Sequence, residues 1–269
     1  MSNRLEDHQM RVYVANLGKY NEGVLQGAWI TLPMRDGELA DVLKNKVGLT
    51  GRYEEYAIHD YEGGEGLLSY MPAPGEYTPL DDLNLMCKVF ESRELDDPDV
   101  YEKVKNYIDG IGGVQYPIEI MNLAMESDDI DYHAYDTGYG PDNPKFFKSN
   151  EEKFGYSIIE AHSVMRDDRS VMVVDPMEDE DLAAVAAIEN SNYSSFFDKA
   201  RFGEEYKLET DATLTDDGYL FSGSIDTDRW SRDELKEEVE WMDRPRDSET
   251  CNPADPLNLA AGSAPSITR

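Results

Sequence analysis

Negative charge constrains this chain more than any other feature of its sequence. It has 57 Asp and Glu against 25 Lys and Arg, a formal net charge of -32 over 269 residues. That much like charge repels itself and opposes compaction. Acidic chains that stay disordered are poor in aromatic and β-branched residues. This one is 40% hydrophobic and 10% aromatic, with 17 Tyr. The composition points to a folded body whose acidic surface is aimed at something basic.

The charge is not confined to a tail. Residues 81–140 hold 15 acids and 4 bases, and residues 141–224 hold 19 and 8. The flanks are milder, with 12 and 7 over residues 1–80 and 11 and 6 over residues 225–269. The length allows one large domain or two to three small ones. The opening MSNRLEDHQM has no apolar core and no small-residue cleavage site, so no signal peptide is expected. No stretch approaches the roughly 18 apolar residues of a membrane span. Cys87 and Cys251 lie far apart, the second in a Pro-rich polar tail, so neither a disulfide nor a zinc site is expected. The expected location is the cytoplasm.

Residues 11–15 (RVYVA) and 28–32 (AWITL) read as strands. Leu39, Val42, Leu43 and Val47 recur at helical spacing within Gly37–Leu49, and Tyr53–Tyr61 reads as a third strand. Pro72, Pro74, Gly75 and Pro79 mark a boundary. A helix then carries Leu83, Leu85, Met86, Val89 and Phe90, with Asp81 placed to cap it. Asp97-Pro98 opens a second helix through Val104 and Tyr107, and Pro117 opens a third. Gly138–Pro144 forms another boundary. Beyond it the pattern suggests a helix near 151–155, a strand over 156–160, a helix over 178–190 and a hairpin within Leu208–Leu220 closing on Asp216-Asp217-Gly218. The tail has one helix over 231–242 with a Ser231/Glu234 capping box, followed by a segment composed like disordered chain.

Motifs for chemistry are missing. The sequence has no phosphate-binding Gly loop, no His-Glu-x-x-His and no Gly-x-Ser-x-Gly. Its four His are scattered singly. Asp226-x-Asp228 with Glu237 meets three positions of a calcium loop, but Trp230 and Ser231 occupy the fifth and sixth. The expectation is no catalytic residue, no metal and no cofactor.

Three uses of the charge compete: general surface acidity, an acidic module for a basic partner, and imitation of a nucleic-acid duplex. Duplex DNA carries one charge per roughly 1.7 Å, so -32 corresponds to about 54 Å of duplex. A helix rises about 1.5 Å per residue and cannot match that density alone. The carboxylates have to be pooled from several elements.

Arg11–Trp29 (RVYVANLGKYNEGVLQGAW) resembles the opening of ArdA-type antirestriction proteins, and so does Glu54–Glu62 (EEYAIHDYE). Looser likeness runs through Asp82-Leu83-Asn84, Gly113-Val114, Asp128-Asp129, Glu152–Tyr156 and Tyr193–Gly218, covering about residues 11–222. The resemblance implies a non-enzymatic DNA mimic. Such a protein occupies the DNA groove of type I restriction–modification enzymes and protects incoming mobile DNA. It implies an α+β chain of three small domains in an elongated body, dimerising through the last. Here these are an α+β domain over residues 1–80, a helical middle domain over 81–140 and an α+β domain over 141–224. A flexible extension over 225–269 has no counterpart.

One motif departs from the family. An Asp-Tyr-Glu-x-x-Gly-Arg-Asp pattern is replaced by Asp198–Glu205, with Glu204 where a basic residue belongs. The working surface is assigned to Asp96, Asp97, Asp99, Glu102, Glu126, Asp128, Asp129, Asp131, Glu178, Asp179, Glu180 and Asp181. The dimer contact is assigned to Tyr193, Phe196, Phe197 and Phe202. The expected partners are a type I restriction–modification enzyme and a second copy, with no nucleic acid and no membrane. The alternative is an acidic binding module for another basic DNA-binding protein.

Overall fold

The computed structural model describes residues 5–63, 74–114, 116–135, 147–165, 171–173, 180–221 and 223–244. They fall into two compact units. One comprises the described residues up to Ser92 together with those from Trp230 onward, and the other comprises those of Arg93–Arg229. The expected boundary at Gly138–Pro144 lies outside the described residues, as does the tail beyond Arg244. Both units mix helix with small antiparallel sheets, in keeping with an α+β chain.

The first unit is built on three strands, β1 (Met10–Asn16), β2 (Gly27–Leu32) and β3 (Tyr56–Gly63), in the order β2-β1-β3. Alternation decides which face is buried. Met10, Val12, Val14, Ile30 and Leu32 point inward and are inaccessible or nearly so. Between β1 and β2 lies a one-turn helix, α1 (Leu17–Asn21), in a segment whose glycines suggest only loop. The Asn16 side chain caps it by accepting from the Lys19 N–H at 2.9 Å. The expected helix over 37–49 is α2 (Asp36–Val42) followed by a π-helical turn over Leu43–Val47, which ends at Gly48 with φ +80°.

The first unit also contains most of α3 (Leu80–Asp96). Its residues from Leu83 to Phe90 are all buried, not only the expected apolar face. Asn84 accepts from the Met34 N–H at 2.7 Å and donates to the Met34 carbonyl at 2.9 Å. Lys88, 3% exposed, donates to Asp36 at 2.9 Å and to both oxygens of Asp243 at 2.7 and 2.8 Å. α3 starts at Leu80, so Asp81 is not its cap as expected but its second residue, in the first turn where the helix dipole favours it.

From Trp230 to Arg244 the tail is folded and belongs to the first unit, and it contains the helix expected over 231–242. Its helix α9 (Arg232–Val239) has the expected capping box: Ser231 Oγ accepts from the Glu234 N–H, and the Glu234 carboxylate accepts from the Ser231 N–H. Leu235 and Val239, one turn apart, are buried. Arg232 pairs with Asp82 at 2.6 Å.

In the second unit, α4 (Val100–Gly110) and α5 (Pro117–Met125) follow the expected bounds. The sheet is β4 (Tyr132–Ala134), β8 (Gly218–Leu220) and β7 (Thr213–Leu214), in that order. The hairpin turns at Asp216-Asp217, as expected, but begins later than Leu208. The residues before it end a helix that the sequence pattern did not suggest, α8 (Lys199–Thr210). A single helix, α6 (Asn150–Ala161), replaces the expected strand over 156–160. Phe154 and Ile158, one turn apart, enter a core with Ala212, Tyr219 and Leu182, the last from α7 (Glu180–Glu189). A short hairpin, β5 (Ser163–Met165) and β6 (Val171–Val173), completes the unit.

The α6–α8 contact explains why these stretches are helical. The two backbones meet at Gly155 and Gly203. A Cβ on Gly155 would collide with the Lys199 carbonyl, and one on Gly203 would collide with the Glu151 carbonyl and stand 2.9 Å from Gly155 N. Close packing of this kind tolerates no extra methyl. An exposed helical Gly→Ala change gains up to about 1 kcal/mol. Gly203→Ala is instead expected to destabilise the protein by about 1–3 kcal/mol through overpacking. Denaturant melts of the two forms check this, and a stabilised variant would rule out the crossing.

Candidate partner-binding surface

The twelve carboxylates singled out in the sequence separate into distinct groups. Asp96, Asp99, Glu102, Asp128, Asp129 and Asp131 are exposed. Asp97 and Glu126 are buried, 7% and 8% accessible, and cannot belong to an outer surface. Glu180 and Asp181 open α7. Glu178 and Asp179 lie outside the described residues.

Asp97 is a structural hub between α3 and α4. Its carboxylate accepts from the Ser127 hydroxyl at 2.7 Å, Lys103 Nζ at 2.9 Å and the Asp99 N–H at 3.2 Å. Arg93 extends the network, donating to Ser127 Oγ at 3.1 Å, the Ala124 carbonyl at 3.2 Å and Asp128 at 3.2 Å. Burial opposes the Asp97 charge, but the Ser127 hydroxyl, the Lys103 ammonium and the Asp99 N–H outweigh it and hold the carboxyl below its ordinary range. Glu126 is likewise engaged, paired with Arg229.

Two of these exposed acids, Asp99 and Glu102, meet Asp109 and Asp217 where α4 faces the β7–β8 turn. Lys105 pairs with Asp217. The Asp217 hydrogen bond, together with the charges of Asp217, Asp109 and Glu102, holds the Lys105 ammonium above its ordinary value despite partial burial. Burial pushes the Tyr132 hydroxyl up, and the carboxylates of Glu102, Asp217 and Asp99 push it further. One cation thus sits among several carboxylates drawn from two elements. Asp217 and Asp109 were not singled out in the sequence. Asp217 is legible there only as a turn residue, and its place beside Glu102 depends on a pairing across more than a hundred residues.

The four aromatics assigned to a dimer contact also divide. Phe197 and Phe202 pack against Ile159, Val185 and Ala186 inside the second unit. Tyr193 and Phe196 stand out at 70% and 82% exposure. The neighbouring Asp198–Glu205 segment has a local explanation. The Asp198 side chain caps α8 by accepting from the Arg201 N–H at 3.1 Å, and Gly203 is the crossing point with α6. Glu204 and Glu205 face solvent.

Among the described residues no helix is long and apolar enough to cross a membrane, and no three His, Cys, Asp or Glu side chains gather as a metal site.

The family model for the antirestriction protein (ArdA) matches residues 12–247. The chain belongs to the ArdA antirestriction family. The match takes in α9 and the folded tail, beyond the limit near residue 222 drawn from motifs alone. No curated protein matches this ArdA-family chain.

The Asp97 carboxyl titrates lower in the folded protein than in the unfolded chain. Its contribution to stability is therefore complete above the ordinary carboxylate range and is lost as pH falls through the lower folded value. Asp97→Asn is expected to cost about 1–3 kcal/mol at neutral pH, because it leaves Lys103 without its carboxylate partner. The gap from the parent should close in acid. Urea melts across pH check this, and a gap independent of pH would remove the charge-assisted hub.

Proposed function

We propose that this chain blocks type I restriction–modification enzymes by standing in for duplex DNA, in charge and in form, within their DNA-binding groove. Membership of the antirestriction family over residues 12–247 carries the reading. The excess of 57 acids over 25 bases supports it, since such a groove is cationic. In this reading the chain acts by binding and not by catalysis, works in the cytoplasm on behalf of mobile DNA, and is organised as three small domains.

The exposed carboxylates Asp99, Glu102, Asp128 and Asp129, joined by Asp109 and Asp217, form the working surface in the second unit. Asp97 and Glu126 support it from beneath. The deciding experiment is displacement of labelled duplex DNA from a type I enzyme by the purified chain. Stoichiometric release that weakens with added salt is the expected result. Failure at low and high salt with folded protein would move the function to a module for another basic protein.

Neutralising one exposed carboxylate should weaken inhibition by less than about fivefold. Neutralising Asp99, Glu102, Asp128 and Asp129 together should weaken it by about tenfold to a hundredfold. Loss of inhibition from one such change, with the fold intact, would contradict a distributed surface.

We assign Tyr193 and Phe196 to the contact of a homodimer, because exposed rings of this size favour burial in an interface. Tyr193→Asp combined with Phe196→Asp should yield a monomer in sedimentation equilibrium with an unchanged melting temperature. A dimer that persists would place the contact elsewhere.

A further inference from the structure

The outer face of the β2-β1-β3 sheet is aromatic and acidic at once. Strand register places Trp29, Tyr13 and Asp60 in one row across the three strands, and Thr31, Arg11 and Glu62 in the next. Tyr13 and Trp29 meet edge to face, with centroids 5.6 Å apart. A bulge in β3 brings His59 beside them, and the Tyr20 ring from α1 lies against His59 at 5.2 Å. Trp29 is 41% exposed and Tyr20 is 49% exposed, although rings of this size normally gain from burial.

The second row already holds a guanidinium. Arg11 lies over the Trp29 ring, 5.2 Å from its centroid, and pairs with Glu62. Arg11 thus reaches the Trp29 ring of the first row from the second, but the carboxylate of the first row, Asp60, has no such partner among the described residues. Asp60 accepts the Tyr61 N–H at 2.9 Å and forms no ion pair among the described residues.

We propose that the row of Trp29, Tyr13 and Asp60 is a receptor for an arginine side chain of a basic partner protein. Its identification with a restriction enzyme rests on the function proposed above. The chain's charge of -32 repels nucleic acid and anionic membrane, and the contact with a second copy is assigned above to Tyr193 and Phe196, which leaves a cationic protein as the occupant. Arginine suits the row better than lysine, because its planar guanidinium stacks on a ring while it donates to a carboxylate. This contact depends less on salt than the exposed carboxylates do, so the partner would be held by stacking as well as by field.

The test follows the Trp29 indole N–H resonance of the full chain, assigned with Trp29→Phe. The protein is titrated with a short oligoarginine peptide and with an oligolysine of equal length. The arginine peptide should move the Trp29 resonance more than the lysine peptide does. Asp60→Asn should weaken arginine binding by about threefold to fivefold, and Asp233→Asn, an exposed acid in α9, by less than about twofold. An unmoved resonance, equal response to both peptides, or equal effects of the two variants would overturn the receptor. A resonance that shifts with protein concentration alone would assign the face to a second copy and overturn it too. DNA displacement from the type I enzyme separates the two readings. Displacement without a Trp29 response defeats only the receptor, and a Trp29 response without displacement defeats only the inhibitor.

Discussion

Cations are the scarce component of this protein, and their placement decides what the rest of the structure can do. With 25 of them for 57 acids, a folded chain cannot neutralise its surface. It spends them as braces between elements. Lys88 ties α2 and the segment after α9 to α3. Arg232 ties α9 to the start of α3. Arg93 and Lys103 fix the turn after α5 and the start of α4 through Ser127 and Asp97. Lys105 holds the β7–β8 turn, Arg229 holds Glu126, and Lys199 joins α8 to Glu189 of α7 at 2.6 Å. Exposed ion pairs are worth little singly. Lys88 and Lys103 differ because their surroundings exclude water, so loss of a partner leaves a desolvated charge.

Apolar packing supplies what the sparse cations do not. In the second unit it depends on two helices approaching backbone to backbone. Gly155 and Gly203 give up helix propensity to allow it, and the rings of Phe154, Phe202 and Tyr206 close around the crossing. The same glycine gives the Asp198–Glu205 segment its local logic. Its Asp starts the helix and its Gly lets the helix cross, whatever charge follows at residue 204.

What the sequence reveals depends on whether a residue's environment is local. β1 and β2 are legible because alternation along a strand reports which face is buried. The Ser231/Glu234 box marks α9 because both partners lie within one turn. α3 looks amphipathic, but from Leu83 to Phe90 it is enclosed on all sides, so its buried Lys88 and Asn84 carry no periodic signal. Tyr156-Ser157-Ile158-Ile159 is too short to distinguish strand from helix, and only the contact with α8 decides it. The surface was the least legible part. Asp96, Asp97 and Asp99 are alike in sequence, yet one is a buried hub and two are exposed. Nothing local marks Ser127 and Lys103 as the partners of Asp97, thirty and six residues away.

The carboxylates left over after bracing explain why a distributed surface is the natural outcome. Glu102 from α4 and Asp217 from a hairpin act on both Lys105 and Tyr132, Asp109 acts on Lys105 and Asp99 on Tyr132, so their fields overlap. Overlap within a screening length of about 8 Å makes the potential a sum over several residues from separate elements. Removing one term lowers that sum only slightly, and the others need no rearrangement to maintain it. A basic groove facing such a surface meets a field rather than a set of matched hydrogen bonds. Specificity then has to come from features with shape and direction, and the ordered rows of ring and carboxylate on the β2-β1-β3 sheet have both.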